Sequence, residues 1–402
     1  MIEEAVRFVI NIPFALFGSE APEWLVFVHV SLLYGGVFMM AFISVLAFGS
    51  VWAERKVSAY MQARLGPMEV GKYHGCLQTI ADAVKLLFKE DILPASADKP
   101  LFTIAPILVF AGSLMSYVAI PFGPTLKVAD LDIGVFYILG TSAVVVVGII
   151  VAGWSSYSKW SIYGGMRAAA QYVSYEIPTA LHLLPIIIMA GSLNLIEIAD
   201  QQKTILTWNV WPWINPFATV SFIMYYVASL AETNRTPFDL AESESELVAG
   251  SHTEYSGIRW SFFFLAEYAD MFVVSALGVI LFLGGWHLFP IPVIGPFLAP
   301  FIFLFKALFL MFIAIWLRWT LPRLRVDQLT YLCWKVLLPF GMVTVTGTAL
   351  WQLYFYKTTV GYILGTVIAA ATIWAMIRIY KSEPSPDRRP PMVRRDRMAA
   401  TQ

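Results

Sequence analysis

Charged side chains are scarce in this sequence. Only 13% of its 402 residues are Asp, Glu, Lys or Arg, whereas 58% are hydrophobic, and a soluble domain carries about 25% charged residues. The mean hydropathy is +0.69. This composition excludes a soluble enzyme and a nucleic-acid-binding protein. The zero net charge says nothing about partners, because in a membrane protein the side on which the basic residues lie is what matters.

Cysteine is also rare, since only Cys76 and Cys333 occur. They form no CxxC motif and have no neighbouring pair of histidines, so neither an iron–sulfur cluster nor a structural zinc site can be built in this chain. Both cysteines are therefore interpreted as apolar residues. The five histidines are scattered along the chain: His29, His74, His182, His252 and His287.

Long apolar runs dominate the rest of the sequence. A helix needs about 20 apolar residues to cross a hydrocarbon core, and nine runs approach or exceed this length. They lie at 24–51, 101–121, 133–153, 168–191, 217–230, 260–286, 297–317, 336–354 and 358–379, and the fifth is short. We therefore predict an all-α, polytopic membrane protein with about nine transmembrane helices.

The two ends of the chain differ from this transmembrane domain, which extends over residues 24–380. Residues 1–23 lack the basic start of a signal peptide and are too short to span, so an interfacial segment is predicted. Residues 381–402 contain four prolines and clustered arginines. This composition predicts a disordered basic tail that meets anionic lipid headgroups.

Basic residues are distributed unequally between the two sides of the membrane domain. The stretches after the odd-numbered helices, with the tail, hold 22 of the 27 Lys and Arg residues, and the other side holds four. The last one, Lys306, lies within the seventh helix. Because basic connections stay on the cytoplasmic side, we predict an amino terminus outside (periplasmic) and a cytoplasmic carboxyl terminus in the cell inner membrane.

The first basic connection contains a short amphipathic pattern, which is expected to end at Pro94. Its apolar residues form a helical stripe and its charged residues share the other face. The stripe contains Leu77, Ile80, Ala81, Val84, Leu87 and Phe88, and the charged face contains Asp82, Lys85 and Lys89. The pattern predicts either a helix in the membrane interface or one lip of a lipid-accessible opening.

Acidic residues are concentrated in the connection after the fifth helix, on the side expected to be basic. They are Glu232, Asp239, Glu242, Glu244, Glu246 and Glu254. A helix that follows Pro237 would place Asp239, Glu242 and Glu246 on one face, where they cannot all stay ionised. A solvated acidic loop is the alternative. The apolar flanks favour a packed loop with a functional role.

Three acidic residues lie inside predicted transmembrane helices. Glu176 belongs to the fourth helix, and Glu267 and Asp270 are one turn apart in the sixth. A charge in hydrocarbon is unfavourable unless it is hydrated, paired or protonated, so each of the three is a functional candidate. His182 and Lys306 are less specific, because a histidine can be a packed neutral side chain and a lysine can extend to the interface.

Six stretches of the chain carry a resemblance to a known family. They read AERKVSAYMQARLGP, LQTIADAVKLLFKED, MRAAAQYVSYEIP, AETNRTPFDLAESESELVAGSHTEYSG, FFFLAEYADM and LPRLRVDQLTYLCWKVLLP. Together they resemble the H subunit of bacterial NADH-quinone oxidoreductase, respiratory complex I, and its mitochondrial counterpart. The sequence departs from the usual family pattern at Met68, Lys72, Thr79, Ala241 and Ser251. These departures concern the shape of the quinone entrance more than the activity.

The resemblance implies a quinone-binding and proton-coupling membrane subunit that is inactive alone and binds no cofactor or metal. NADH, FMN and iron–sulfur clusters would belong to partner subunits, which include quinone-proximal hydrophilic subunits and neighbouring membrane subunits. The residues expected at the quinone chamber are Glu54, Arg55, Arg64, Leu77, Asp82, Val84, Lys85, Phe88, Arg235 and Phe238. Those expected to couple quinone reduction to proton translocation are Glu176, Glu232, Asp239, Glu242, Glu244, Glu246, Glu254, Glu267 and Asp270.

Three alternatives remain open. A membrane-bound hydrogenase or a ferredoxin-driven relative contains a homologous subunit, although the near-complete match from Glu232 to Gly257 favours the quinone enzyme. A stand-alone ion transporter would also carry intramembrane carboxylates. A haem-bearing quinol oxidase subunit needs two facing pairs of histidines, which His29, His182 and His287 do not obviously supply. Whether the quinone is ubiquinone or menaquinone is left open.

Overall fold

A computed structural model describes residues 39–124, 126–240, 247–288, 295–355 and 358–382. Helices make up most of these residues, and no strand occurs among them. In chain order the helices are α1 (Met39–Met61), α2 (Gln78–Phe88), α3 (Lys99–Ala119), α4 (Gly134–Ser155), α5 (Lys159–Ala190), α6 (Leu195–Asp200), α7 (Pro216–Glu232), α8 (Gly257–Phe282), α9 (Gly295–Thr320), α10 (Val326–Tyr331), α11 (Leu338–Tyr354) and α12 (Thr359–Ser382). A π-helix, Leu332–Leu337, joins α10 to α11.

Six helical stretches in the described part of the chain are long and apolar enough to cross a membrane. They are α3, α4, α5, α8, most of α9, and the continuous helix formed by α10, the π-helix and α11. The remaining three predicted spans coincide with α1, α7 and α12, although residues 24–38 of the first lie outside the described residues. The prediction of an all-α, polytopic membrane protein is confirmed, and α7, with 17 residues, is short as expected.

Helix α8 lies at the centre of the bundle. It contacts α1, α3, α7 and α9, and most of its residues are buried. Tyr117 of α3 stacks on Phe272 of α8 at 5.8 Å between ring centroids, and its hydroxyl donates to the Ala269 carbonyl over 2.9 Å. The acidic residues of α8 therefore face protein from several directions.

Helix α5 is longer than its apolar run predicts. It begins at Lys159, ahead of the predicted start at residue 168, and has 32 residues. Its first turns fit against α4 because both helices carry glycine there: a Cβ on Gly165 would lie 3.2 Å from the Cα of Gly153. Further along, Pro178 removes the N–H that would bind the Ser174 carbonyl. The Cys333 thiol donates to that carbonyl over 3.0 Å instead.

The interpretation of both cysteines as apolar residues holds for Cys333, which belongs to the buried hydrophobic core, and is wrong for Cys76. Cys333 is buried, and its thiol serves as the hydrogen-bond donor just described. Cys76 is exposed, and its thiol donates to the Tyr73 carbonyl over 2.8 Å. Short polar turns around Cys76 place its side chain at the surface.

Helix α2 confirms the predicted amphipathic helix, with two corrections. It ends at Phe88, well before Pro94. Most of its apolar stripe points away from the rest of the described chain, since Val84 is 44% and Phe88 87% exposed, whereas Thr79 on the opposite face is buried. The stripe is thus free to meet lipid, a ligand or another chain.

The predicted helix directly after Pro237 is wrong for residues 237–240. The Phe238 amide donates to the Arg235 carbonyl over 2.8 Å, and the Leu324 amide donates to the Pro237 carbonyl over 3.0 Å. These bonds fix a turn, so Asp239 does not occupy the predicted helical face. Residues 241–246 lie outside the described residues.

The termini are described only in part. Helix α12 extends to Ser382, which takes in the first two residues of the predicted tail. Residues 383–402 and the predicted interfacial segment at 1–23 lie outside the described residues.

We name the two ends of the helix bundle by residues that lie there. The Arg235 end also holds α2 and Arg318, and the opposite Asp200 end also holds His287.

Candidate functional site

A buried network of charges joins four segments at the Arg235 end. On Glu54 of α1, one carboxylate oxygen accepts from Arg235 over 3.0 Å and the other from Arg318 over 2.5 Å. The Tyr268 hydroxyl of α8 donates to Glu54 over 2.6 Å. Arg235 also forms an ion pair with Glu267 over 3.3 Å. Two carboxylates are thus balanced by two guanidinium groups; we call these five residues the charge network.

Arg235 is the centre of this network. Its side chain is fully buried, and its guanidinium lies 4.5 Å from the centroid of the Tyr268 ring. Burial acts against the charged form, but Glu267, Tyr268 and Glu54 outweigh it and raise the pKa of Arg235 well above its usual value. Arg235 is therefore a permanent cation that orients the carboxylates around it.

An entrance cavity of about 320 Å³ opens between α1, α2 and α8. Its walls are mainly apolar and include Phe48 and Val51 of α1, Leu86 and Leu87 of α2, and Phe264 of α8. An apolar cavity of this size with a few polar groups is typical of a site for a hydrophobic ligand.

A polar edge borders the entrance cavity. Arg55 of α1 and Asp82 of α2 form an ion pair over 2.5 Å, and both line the cavity together with Lys85. The pair holds α2 against α1 through the polar face of α2. This arrangement explains why the apolar stripe of α2 points outwards.

A middle cavity of about 210 Å³ lies beside the charge network. It is lined by Glu267, Asp270, Arg318 and His252. Phe264 lines both this cavity and the entrance cavity. Burial lowers the pKa of His252 to about 4, although Glu267 acts in the opposite direction. The imidazole is thus neutral at physiological pH.

A carboxylate cavity of about 60 Å³ lies further from the Arg235 end. Glu176 of α5, Glu232 of α7 and Asp270 of α8 line it. Thr179 of α5 also lines it, and its hydroxyl donates to the Tyr175 carbonyl over 2.9 Å. Because Asp270 lines both the middle and the carboxylate cavities, the three acids continue the polar region from the charge network into the membrane domain.

The structure brings four of the six described coupling carboxylates together, Glu176, Glu232, Glu267 and Asp270, but divides the predicted quinone-site residues. Glu54 and Arg235 belong to the charge network rather than to the entrance cavity. Leu77, Val84 and Phe88 are exposed on the outward stripe of α2, and none of them lines the entrance cavity. They would meet a ligand before it enters the cavity, if at all.

The other predicted residues lie around this site. Phe238 is buried, and Asp239 forms an ion pair with Arg323 over 3.3 Å. Arg64 is exposed and Glu254 is half-buried, and both lie apart from the charge network. Three predicted coupling residues lie outside the described residues: Glu242, Glu244 and Glu246.

Three residues of the site carry little signal in the sequence: Arg318, Tyr268 and His252. Arg318 ends an apolar run and has the pattern of an interfacial residue, and its contact with Glu54 joins positions 264 residues apart. Tyr268 could have been suspected from its place directly after Glu267. His252 follows the acidic stretch, but nothing in a single sequence shows that it lines a cavity beside the charge network.

Lys306 of α9 has a separate position at the Asp200 end. Its ammonium donates to the carbonyls of Leu283, Gly285 and His287 over 2.7, 3.0 and 2.7 Å, and it lies 4.1 Å from the ring centroid of Trp208. It therefore does not extend to the interface but stabilises the carboxyl end of α8.

In the described ranges no group of three or more His, Cys, Asp or Glu could hold a metal ion.

Known proteins similar to this chain agree on one family. A sequence profile of the NADH dehydrogenase family matches residues 34–349. The NADH-quinone oxidoreductase H subunit of Chlorobium luteolum is 52% identical over 327 residues, 77% of this chain and 85% of the relative. The H subunit of Anaeromyxobacter dehalogenans is 44% identical over 87% of this chain and 88% of the relative. The H subunit of Geobacillus kaustophilus is also 44% identical, over 84% of this chain and 98% of the relative. The chain therefore belongs to the NADH dehydrogenase family, among the H subunits of NADH-quinone oxidoreductase.

Proposed function

We propose that this chain is the quinone-binding and proton-coupling membrane subunit of a proton-pumping NADH-quinone oxidoreductase in the cell inner membrane. The observation that carries the proposal is the succession of three cavities from α2 to Glu176. An apolar cavity is followed by one with Arg318 and Glu267, and then by one with three carboxylates. The names of the relatives at 43–52% identity support the same enzyme.

The entrance cavity suits a quinone with an isoprenoid tail. Phe48, Leu86 and Phe264 offer apolar contacts to the tail. The Arg55 and Asp82 pair offers hydrogen-bonding groups to a polar headgroup at the edge of the same cavity. The outward stripe of α2 would lie in the membrane interface, so a quinone in the lipid would pass it on the way in.

The charge network and the carboxylate cavity suit the coupling of quinone reduction to proton movement. Reduction of a quinone to a quinol takes up two electrons and two protons, and so it changes the charge near Glu54 and Glu267. Arg235 connects these two carboxylates. Asp270 is one turn from Glu267 on α8 and also lines the cavity with Glu176. A charge change can therefore reach Glu176 through adjacent groups.

Electrons would arrive from partner subunits that hold FMN and iron–sulfur clusters. The end of α1 and the connection from α1 to α2 expose large apolar side chains, with Tyr60 79%, Leu65 83% and Tyr73 81% exposed. Such a surface suits contact with the quinone-proximal hydrophilic subunits. The isolated chain would reduce no quinone, because Cys76 and Cys333 lie apart and supply no cluster site.

The Arg235 end would then face the cytoplasm. The support is the excess of Lys and Arg in the connections at that end. The amino terminus would be periplasmic, and the basic tail would lie at the cytoplasmic headgroups of the membrane lipids.

The quinone site is tested by photo-crosslinking a tailed quinone analogue to the assembled complex in membranes. We expect labelled peptides from α1 and α2, between Ser44 and Phe88, and from the start of α8. An excess of unlabelled quinone should suppress this labelling. Labelling confined to α12, with none in those helices, would contradict the proposed quinone site.

A further inference from the structure

Several buried polar atoms have no hydrogen-bond partner among the described residues, and three of them lie on neighbouring membrane helices. These three are Nδ1 of His182, Oγ of Ser221 and Oγ1 of Thr348. Each of the three side chains is 0% exposed. They belong to α5, α7 and α11, which pack against one another. We call these three residues the polar seam.

An isolated polar atom of this kind is unfavourable, especially where no bulk water is present. Protein interiors satisfy such atoms with other protein groups or with ordered water. Three such atoms on three helices that contact one another therefore point to bound water between these helices.

The contacts of His182 determine what its second ring nitrogen can do. Its Nε2 lies 3.2 Å from the Leu337 carbonyl. A carbonyl only accepts, so Nε2 carries the proton of the neutral ring and Nδ1 is left as an acceptor. The hydroxyl groups of Ser221 and Thr348 can each donate and accept. The polar seam thus offers both hydrogen-bond donors and hydrogen-bond acceptors to a chain of water molecules.

One end of the polar seam leads to the carboxylate cavity. On α5, Glu176 and Thr179 line that cavity, and His182 follows Thr179 at a spacing of three residues. On α7, Tyr225 lines the cavity, and Ser221 lies four residues further from it. Residues three or four apart share one face of a helix. Both helices therefore continue from the carboxylate cavity into the polar seam.

The other end of the polar seam leads to a larger cavity of about 660 Å³ at the Asp200 end. Met189 of α5, Ile214 just before α7, and Gln352 of α11 all line it. Gln352 lies one turn beyond Thr348, and its Oε1 is likewise buried without a partner among the described residues. The same three helices thus connect the two cavities, with the polar seam between them.

The helices cannot easily shift to give the polar seam protein partners. A Cβ on Gly347 of α11 would lie 2.5 Å from the ring of Phe217 of α7, and one on Gly341 would lie 3.0 Å from the Leu181 side chain of α5. These close approaches fix α11 against both neighbours.

We propose that the polar seam holds a file of water molecules that forms a proton path between Glu176 and the cavity at the Asp200 end. The path rests on the proposed coupling role of Glu176. A proton that leaves Glu176 would bind the first water, each water would pass one proton to the next, and one proton would leave at the far cavity. Atoms and charge balance, and no oxidant or reductant is needed.

Water in the polar seam is tested by cysteine accessibility in the assembled complex in sealed vesicles. Thr348→Cys is compared with Thr346→Cys on the same helix, because Thr346 is exposed on another face and its hydroxyl binds the Met342 carbonyl over 2.8 Å. A small hydrophilic thiol reagent is added on the side of the Asp200 end. Peptide mass spectrometry separates the new thiols from Cys76 and Cys333.

We expect Thr348→Cys to react at least about tenfold faster than Thr346→Cys, because the thiolate that reacts forms only in contact with water. Ser221→Cys, a nearly isosteric change, is expected to behave in the same way and replaces Thr348→Cys if that variant does not assemble. Equal rates at the seam and control positions would overturn the proposal, as would the absence of reaction in the polar seam.

Proton conduction is tested with Thr348→Val and Ser221→Ala, which remove the hydroxyl groups. We expect NADH-driven proton translocation to fall about fivefold, the effect of one lost hydrogen bond on a rate. NADH oxidation by an artificial acceptor and the control Thr346→Val should be unchanged.

Measuring Glu176→Gln beside these variants distinguishes the two proposals. If both Glu176→Gln and the seam variants lower translocation, the path and the coupling role are supported together. If only Glu176→Gln lowers translocation, the proton path is overturned and the coupling role of Glu176 stands. If only the seam variants lower it, a path that starts at Glu176 is overturned together with the coupling role. If neither does, both proposals fail.

Discussion

The charges at the Arg235 end are paired, whereas the carboxylates deeper in the membrane domain are not. Glu54 contacts both Arg235 and Arg318. In the parts of the chain that the structure describes, Glu176 and Asp270 form no ion pair. Removing one partner of a buried ion pair leaves an uncompensated charge. A carboxylate without a cation can instead change its protonation with little cost to its neighbours.

The difference shows that an acidic residue in a membrane helix is not by itself a proton-transfer group. Glu267 and Asp270 are one turn apart on α8, yet the first is paired with Arg235 and the second lines the carboxylate cavity. Glu267 therefore has a structural role in an ion pair, whereas Asp270 can change its protonation. We therefore expect substitutions in the charge network to affect stability first, and substitutions of the unpaired carboxylates to affect turnover first.

Replacing Arg235 should have the largest effect. Arg235→Ala leaves Glu54 and Glu267 buried without their shared cation, which should cost about 3–5 kcal/mol of stability. We expect most of the assembled complex to be lost from membranes, measured by native electrophoresis. Lys127→Ala is the control, since Lys127 lies at the Asp200 end, away from the charge network, and its ammonium donates to Asp130 over 2.6 Å. Normal amounts of complex with Arg235→Ala would show that the charge network does not hold these helices together.

A pH dependence should arise from His252, which lies at the border of the two regions. Its pKa is lowered by burial from 6.5 to about 4, so the unfolded chain binds a proton more readily than the folded chain. The resulting stability is complete above pH 6.5 and decreases as the pH falls towards 4. Between pH 7 and pH 5 we expect a loss of about 2 kcal/mol from this group.

The measurement for His252 is thermal inactivation of the complex at both pH values. His252→Gln keeps a polar side chain of similar size that cannot become charged. It should lose less thermal stability than the wild type when the pH is lowered from 7 to 5. The same loss in both proteins would mean that His252 is not the group responsible.

The spans and the acidic residues within them could be predicted from the sequence because both signals are local. An apolar run of sufficient length is visible in one segment, and Glu176 stands out because its neighbours are apolar. The pairing of Glu54 with Arg318 was not predictable in this way, since it depends on how α1 and α9 pack. This pairing is what distinguishes a carboxylate in an ion pair, such as Glu54, from one without a cation, such as Glu176.

Helix α2 shows a second limit. Its stripe of apolar residues predicts a helix correctly, but the same stripe would appear whether it faced the protein, lipid or a quinone tail. The direction in which the stripe faces is set by Asp82 on the other side of α2, which pairs with Arg55 on α1. Thus Leu86 lines the entrance cavity while Phe88 does not.

Neutralising an unpaired carboxylate should lower turnover and leave assembly intact. Glu176→Gln and Asp270→Asn keep size and hydrogen bonding but lose the exchangeable proton. We expect quinone reduction and proton translocation to fall about tenfold or more, with NADH oxidation by an artificial acceptor unchanged. Glu197→Gln on α6, at the Asp200 end, is the control. Rates at the wild-type level for both variants would show that these carboxylates are structural.

Removing the Tyr268 hydroxyl should have the smallest effect and sharpens the comparison most. In Tyr268→Phe the ring can stay over Arg235, and only the 2.6 Å hydrogen bond to Glu54 is lost. Because Glu54 keeps both guanidinium partners, we expect a loss of about 1 kcal/mol, seen as a small decrease in the temperature of thermal inactivation. Quinone reduction should remain well above that of Glu176→Gln.

Tyr117→Phe is the matched control for this change, because the Tyr117 hydroxyl binds a neutral carbonyl of α8, that of Ala269, over 2.9 Å. Similar small losses in the two variants would show that the ion pairs carry the stability of the charge network. If Tyr268→Phe instead destabilised the complex as much as Arg235→Ala, the hydroxyl would be indispensable to Glu54, and the pairing of charges alone would not explain why this end of the bundle is held.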